Sequence, residues 1–153
     1  MKPTRTWVVI ADGGRAKVFE SHGPKSDLAH IDDMDLEAEL PPNRDILADR
    51  PGRVIESHGR ARHAIENSTD PHKALKREFA SMLGDSLAVS LAKKRFDRLV
   101  IVAPPPVLGD LRDVLSKRVK ARIVAELGKD LVKTPRSELP RHLEDVLGHQ
   151  VDR

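Results

Sequence analysis

The sequence contains no cysteine among its 153 residues. This absence excludes disulfide bonds, a thiol nucleophile and a zinc site with cysteine ligands, and it fits a reducing compartment. Tyrosine is absent too, and the aromatic residues are one tryptophan and three phenylalanines. Each of these rings lies in an apolar run, so we expect them in the core. A surface on which successive bases stack needs exposed rings, and we do not expect one.

Long apolar runs are also missing. The run near the N-terminus, Trp7 to Ala11, is too short for the apolar region of a signal peptide. No segment approaches the roughly 18 apolar residues of a membrane helix. We therefore expect a cytoplasmic protein with no membrane contact, and the missing signal segment argues against a surface adhesin.

The length indicates the number of domains, and the charge balance indicates which kinds of partner are possible. A chain of 153 residues suits one domain, 1–153, and we find no internal repeat. The net charge is +3 with a charged fraction of 33%. This mildly basic balance permits an anionic partner without requiring one.

The stretch WVVIADGGRAKVFE, residues 7–20, predicts a β-hairpin. Two strand-like runs, Trp7 to Ala11 and Ala16 to Glu20, flank an Asp-Gly-Gly-Arg segment. Asp-Gly and Gly-Gly favour the positive φ angles of a primed two-residue turn. A third strand is expected around Ala29 to Leu36.

Helical spacing of apolar residues predicts a helix from Asp70, as the N-cap, to about Lys94. The run LVIVA, Leu99 to Ala103, is typical of a central strand covered on both faces. Three prolines end it, and a second amphipathic helix is expected from Leu108 to Val119.

The last third of the chain leaves one element open. Residues 122–127, RIVAEL, either continue the second helix or form a strand. Ser137 is expected to cap a final helix that Gly148 ends. This order predicts one α/β domain with a mixed sheet, opened by a hairpin and covered by about three helices.

Residues 41–70 lack sustained periodicity and predict a long basic loop, with a short strand possible at Val54 and Ile55. Its cations suggest contacts with phosphate groups. The alternative is that they are solvated or pair with acids of the same segment. The candidate binding residues for an anion or RNA are Arg50, Arg53, Arg60, Arg62 and His63.

Nucleotide-binding and nucleophile motifs are absent. No Walker loop, dinucleotide fingerprint, G-x-S-x-G or H-E-x-x-H occurs in the sequence. We therefore expect no catalytic residue, no cofactor and no metal site. Asp12 is the weak metal candidate, since ribonuclease-H-type enzymes carry an aspartate at the end of the first strand. Bonding to the backbone of its own turn is the stronger expectation.

Cations also gather near the predicted end of the second helix: Lys117, Arg118, Lys120 and Arg122. Cations complement a helix C-terminus, which explains them without a ligand. Together with the loop they are also able to form a continuous basic face.

Six stretches, in this order and spacing, resemble the bacterial family of host attachment proteins: WVVIADGGRAKVFE, DRPGR, GRARHAIE, DPHKALKREFA, FDRLVIVAPPPVLGDLR and VAELGKDLVKTP. The chain also resembles the central domain of archaeal and eukaryotic peptide-chain release factors. That resemblance implies a ribonuclease-H-like topology. The Gly-Gly-Gln tripeptide of release factors is missing, because the sole glutamine is Gln150, so peptide-release chemistry does not transfer.

The resemblance and the loop together predict a non-enzymatic binding protein whose partner is the ribosome or RNA. Two alternatives stay open. One is a metal-dependent, ribonuclease-H-like hydrolase that uses Asp12, and the other is a protein that acts in attachment to host cells.

Overall fold

The hairpin forms at the predicted place. The computed structural model describes residues 4–22, 28–38 and 71–151. Within them, β1 spans Thr6–Ala11 and β2 spans Arg15–Ser21, paired antiparallel with Ala11 opposite Ala16. Every residue of β1 is buried, which makes it the centre of the sheet. Gly13 does not adopt a left-handed φ, so the expected primed turn is wrong at this position.

The predicted third strand is wrong as one element. Two short strands take its place, β3 at Ala29–His30 and β4 at Leu36–Glu37, and both pair with β2. A 3-10 helix at Asp32–Met34 separates them. The interruption turns the Met34 side chain into the core, where it is 4% exposed. Burial of this methionine accounts for the break in strand pairing.

The second half of the sheet is parallel. β5 at Arg98–Val102 lies between β1 and β6 at Ile123–Leu127, and all three strands run in the same direction. The strand order is β3-β2-β1-β5-β6, with β4 on β2. The central strand predicted from LVIVA is confirmed, and RIVAEL forms an edge strand of this sheet rather than a helix.

Four helices are present in the described residues, one more than predicted. The first, α1, spans Pro71–Ala92. The expected second helix is two elements, α2 at Pro105–Val114 and α3 at Lys117–Lys120. Leu115 has an extended backbone and ends α2, while the Ser116 hydroxyl caps α3 by accepting from the Val119 N–H at 3.2 Å.

The final helix, α4, spans Leu139–Val151. Ser137 does not cap it, because it lies inside a preceding 3-10 helix at Arg136–Glu138. Gly148 does not end it either, since the helix continues three residues further. The long basic loop predicted at residues 41–70 and the Asp70 N-cap lie outside the described residues.

The sheet divides the core into two layers. On one face Trp7 and Val9 pack with Phe79 of α1 and Leu111 of α2. On the other face Val8 and Ile10 pack with Leu143 of α4. The alternation of β1 between the two layers explains why its sequence is continuously apolar. The expected core positions of the four aromatic rings are confirmed: Trp7, Phe19, Phe79 and Phe96 are all buried.

Candidate functional site

The loop residues that the sequence assigns to anion binding cannot be placed in this architecture. Arg50, Arg53, Arg60, Arg62 and His63 lie outside the described residues. The same holds for the short strand at Val54 and Ile55. Their binding role therefore stays a prediction.

Asp12 bonds the backbone of its own turn, as expected. Its Oδ1 atom accepts from the N–H of Gly14 at 2.9 Å and from the N–H of Arg15 at 2.8 Å. The Asp12 N–H donates to the Arg15 carbonyl at 2.9 Å. One carboxylate oxygen thus closes the hairpin, and Gly13 beside it leaves room for the Lys76 side chain, whose Cγ would lie 2.8 Å from an added Cβ.

A cleft of about 540 Å³ opens where the parallel strands end, beside this turn. The Asp110 carboxylate in it pairs with Arg77, whose Nη1 lies 3.3 Å from Oδ1. No group of three or more histidine, aspartate or glutamate side chains in the described ranges is placed to hold a metal ion. The hydrolase alternative therefore gains no support from the carboxylates of this cleft: Asp12, Glu37, Asp110 and Asp130.

A second depression lies at the opposite end of the strands, where the parallel strands β1, β5 and β6 begin. Two adjoining hollows of about 520 and 640 Å³ share Leu91, Lys94 and Arg122. We call this continuous depression the basic groove. Its apolar lining consists of Ala88, Leu91, Ala92, Phe96, Val119 and Ala121. Its cations are Arg5, Lys93, Lys94, Arg118 and Arg122.

The C-terminal turn of α1 places two of these cations. The Arg95 N–H donates to the Ser90 carbonyl at 3.0 Å, and the Lys94 N–H donates to the Leu91 carbonyl at 2.8 Å. These two bonds form a Schellman motif. The motif ends the helix and sets Lys93 and Lys94, both exposed, at the mouth of the groove.

The facing wall is built by α3. Buried Val119 anchors this short helix in the core at 0% exposure. The Arg122 N–H donates to the Val119 carbonyl at 2.9 Å, which keeps the following turn tight. Arg118 and Arg122 are exposed on either side of this anchor. The suggestion that these cations complement the end of a long helix is wrong, because α3 is four residues long and Lys117 is its first residue.

The charge of the groove is largely uncompensated. Its acid is Asp97, whose Oδ2 accepts from the Arg5 N–H at 2.8 Å and lies 3.6 Å from Arg5 Nε. In the part of the chain that the structure describes, no ion pair is present for the other four cations. These four are Lys93, Lys94, Arg118 and Arg122.

Several arginines elsewhere on the described surface pair with acids. Arg95, next to the groove, places its two terminal nitrogens 2.8 and 3.0 Å from the Asp33 carboxylate and lies 5.1 Å from the centre of the Trp7 ring. This hydrogen bond lowers the pKa of Asp33 and raises the pKa of Arg95. Arg77 and Arg112 pair with acids as well. Other exposed cations, such as Arg136 and Arg141, also have no ion pair in the described ranges. The groove is distinguished by the four such cations that line one depression.

Sequence reasoning named two of the five groove cations, Arg118 and Arg122. It noted the cations at 117–122 but missed Arg5, Lys93 and Lys94. The run Lys93-Lys94-Arg95 at the end of the predicted first helix was the sequence signal that could have revealed two of these cations. A local sequence pattern does not show that the C-terminal end of α1 and the helix α3 line the same groove.

In the described ranges, no helix has both the length and the apolar character needed to cross a membrane.

A comparison with models of protein families shows the family of this chain. Residues 7–143 match the family described as "Protein required for attachment to host cells". The chain belongs to this family. The match covers most of the chain and includes the elements around the basic groove, α1, β5 and α3. A comparison with curated proteins gives no match.

The family match confirms the first resemblance seen in the sequence. The relation to the release-factor domain, and with it the ribonuclease-H-like topology, stays a prediction. The mixed sheet and the helices that cover it confirm the expected α/β fold class.

Proposed function

We propose that this chain is a non-enzymatic binding protein whose partner is RNA, free or in the ribosome. The RNA phosphates lie in the basic groove, and the arginines of residues 50–63 supply a second contact. The observation that carries the proposal is the convergence of four unpaired cations around one depression, with Asp97 already bonded to Arg5.

Like charges gathered without acids repel one another, so an arrangement of this kind gains free energy when a polyanion binds. RNA offers regularly spaced phosphates, and binding releases the counterions condensed on them. Contacts with phosphates carry no base information. The proposed binding is therefore strong at low salt, weak at high salt and similar for different sequences.

The distribution of charge supports this groove over the cleft beside Asp12. The cleft is lined by four carboxylates and two cations, Arg15 and Lys76. Its field opposes the approach of phosphates, whereas the field of the basic groove attracts them. RNA is therefore assigned to the groove at the beginning of the parallel strands.

The test is binding of a fluorescent single-stranded RNA of 20 nucleotides to the full chain and to two triple variants. The groove variant carries Lys93→Gln, Arg118→Gln and Arg122→Gln. The control variant carries Lys133→Gln, Arg136→Gln and Arg141→Gln. These three residues are exposed, like those of the groove variant, and do not line the groove. Each variant loses three charges, so net charge is matched.

We expect the groove variant to lose at least tenfold in affinity while the control changes little. Equal losses in the two variants would show that binding follows net charge and not the groove. Competition by poly-glutamate as effective as unlabelled RNA would assign the groove to an acidic protein instead. Melting temperatures should stay close to that of the wild type, because exposed substitutions rarely change stability by more than about 0.5 kcal/mol.

The family description favours a second candidate function, a role in attachment to host cells. The groove variant tests whether attachment to host cells depends on RNA binding. If cells that carry it attach normally while RNA binding is lost, attachment does not depend on RNA binding by this chain.

A further inference from the structure

Lys94 occupies a backbone conformation that suits glycine. Its φ angle is 61°, and no other non-glycine residue in the described ranges has a positive φ. It holds the C′ position of the Schellman motif that ends α1, where glycine is the usual residue. In this conformation the Cβ of an L-residue crowds the backbone, so lysine at position 94 costs stability.

The hydrogen bonds of the turn do not explain the choice of lysine. The Lys94 N–H donates to Leu91, and its carbonyl accepts from the Arg5 guanidinium. Both bonds use backbone atoms of residue 94, and glycine would make them equally well. Nor does the helix dipole require this charge, because Lys93 and Arg95 flank it at the same helix end.

The position of Lys94 in the groove supplies the explanation. It belongs to both hollows, together with Leu91 and Arg122. It is exposed and has no ion pair in the described part of the chain. A strained residue at the junction of a binding groove indicates a functional constraint.

We infer that Lys94 is the central phosphate-binding residue of the basic groove, retained in a strained backbone position for its ammonium group. The ligand class is a phosphodiester, and Arg122 is the neighbouring cation that shares the junction. The inference rests on the proposed function, since it names the residue on which RNA binding depends most.

Three substitutions test the inference with two readouts, the melting temperature and the affinity for a 20-nucleotide single-stranded RNA. Lys94→Gly removes both strain and charge. Lys94→Asn removes the charge with a residue that tolerates left-handed backbone. Lys94→Arg keeps both. Lys133→Gln removes one exposed charge away from the groove and serves as the control.

We expect Lys94→Gly to raise the melting temperature by about 2–4 °C, the shift for relief of the strain in a chain of this size. The same variant should lose about tenfold in RNA affinity, the loss for one charge-assisted hydrogen bond. Lys94→Asn should lose as much affinity, and Lys94→Arg and Lys133→Gln should keep nearly all of it.

A glycine variant that gains stability and binds RNA as well as the wild type would overturn the inference and leave the proposed function standing. A glycine variant with an unchanged or lower melting temperature would overturn its premise. If the wild-type chain binds no RNA at low salt, the proposed function fails, and that failure is visible before any Lys94 variant is compared.

Discussion

The contact between Ser90 and Met34 permits a sharp test of how the interrupted third strand packs on α1. Ser90 is 3% exposed, and its hydroxyl lies 3.2 Å from the Met34 sulfur. A thioether is a weak acceptor, yet in the core it is what satisfies this donor. Replacement of Met34 by leucine conserves volume and by itself should cost less than about 1.5 kcal/mol. It also removes the acceptor, and an unsatisfied buried donor adds about 1–3 kcal/mol.

We therefore expect Met34→Leu to lower the free energy of unfolding by about 2–3 kcal/mol, or about 4–12 °C in melting temperature. Ser90→Ala should be neutral or slightly stabilising, because it removes the donor and improves helix propensity by about 0.5 kcal/mol. In the Ser90→Ala background, Met34→Leu should cost at least about 1 kcal/mol less than in the wild type.

Thermal and chemical denaturation of the four proteins in this cycle supply the measurement. Ser86→Ala is the matched control, since the Ser86 hydroxyl lies 3.7 Å from the same sulfur but is only partly buried. It should not relieve the cost of Met34→Leu. Equal costs of Met34→Leu with and without Ser90 would refute the reasoning, because the sulfur would then not satisfy the hydroxyl.

Three further predictions concern the core, the ion pair beside the groove and the loop. Leu143→Ala, on the buried face of α4 at 0% exposure, should lower the free energy of unfolding by about 2–5 kcal/mol in thermal denaturation, and a loss below about 1 kcal/mol would contradict the two-layer core. The hydrogen bond from Arg95 lowers the pKa of Asp33 below 3.8, so the pair stabilises the fold above that pH and the effect is lost as the pH falls through the lowered value. Asp33→Asn should accordingly lower the melting temperature at neutral pH and lose this effect in strong acid, and a pH-independent effect would count against the pair. Replacement of Arg53, Arg60 and Arg62 by alanine should weaken binding of all RNA sequences alike with melting curves unchanged, whereas a loss of several degrees would show that these arginines stabilise the fold.

The elements whose signal lies within a few residues were predictable from the sequence. The Asp-Gly-Gly segment indicated the position of the hairpin turn, although not its type, and the run at Leu99 indicated a strand buried on both faces. Errors occurred where a tertiary contact overrides a local pattern. Burial of Met34 divides the third strand, and capping by Ser116 starts a new helix where the apolar spacing continues.

The basic groove was predictable only in part. Its α3 cations form a dense run in the sequence, but helix-end compensation explained them equally well at that level. The strain at Lys94 depends on a backbone angle that no composition shows. The pairing of Asp97 with Arg5 joins residues 92 positions apart, so the net charge of the groove could not be counted before the fold was known.

The salt dependence of RNA binding tests the central claim most directly. Neutralisation of phosphates on a single strand contributes a log–log slope of about −0.7 per contact, so the four groove cations should contribute about −2.8, or about a fiftyfold loss between about 50 and 200 mM salt. The variant Lys93→Gln/Arg118→Gln/Arg122→Gln should therefore show a slope shallower by about 2.1 than that of the wild type, with the Lys133/Arg136/Arg141 control unchanged. Equal slopes for the wild type and the groove variant would contradict the account.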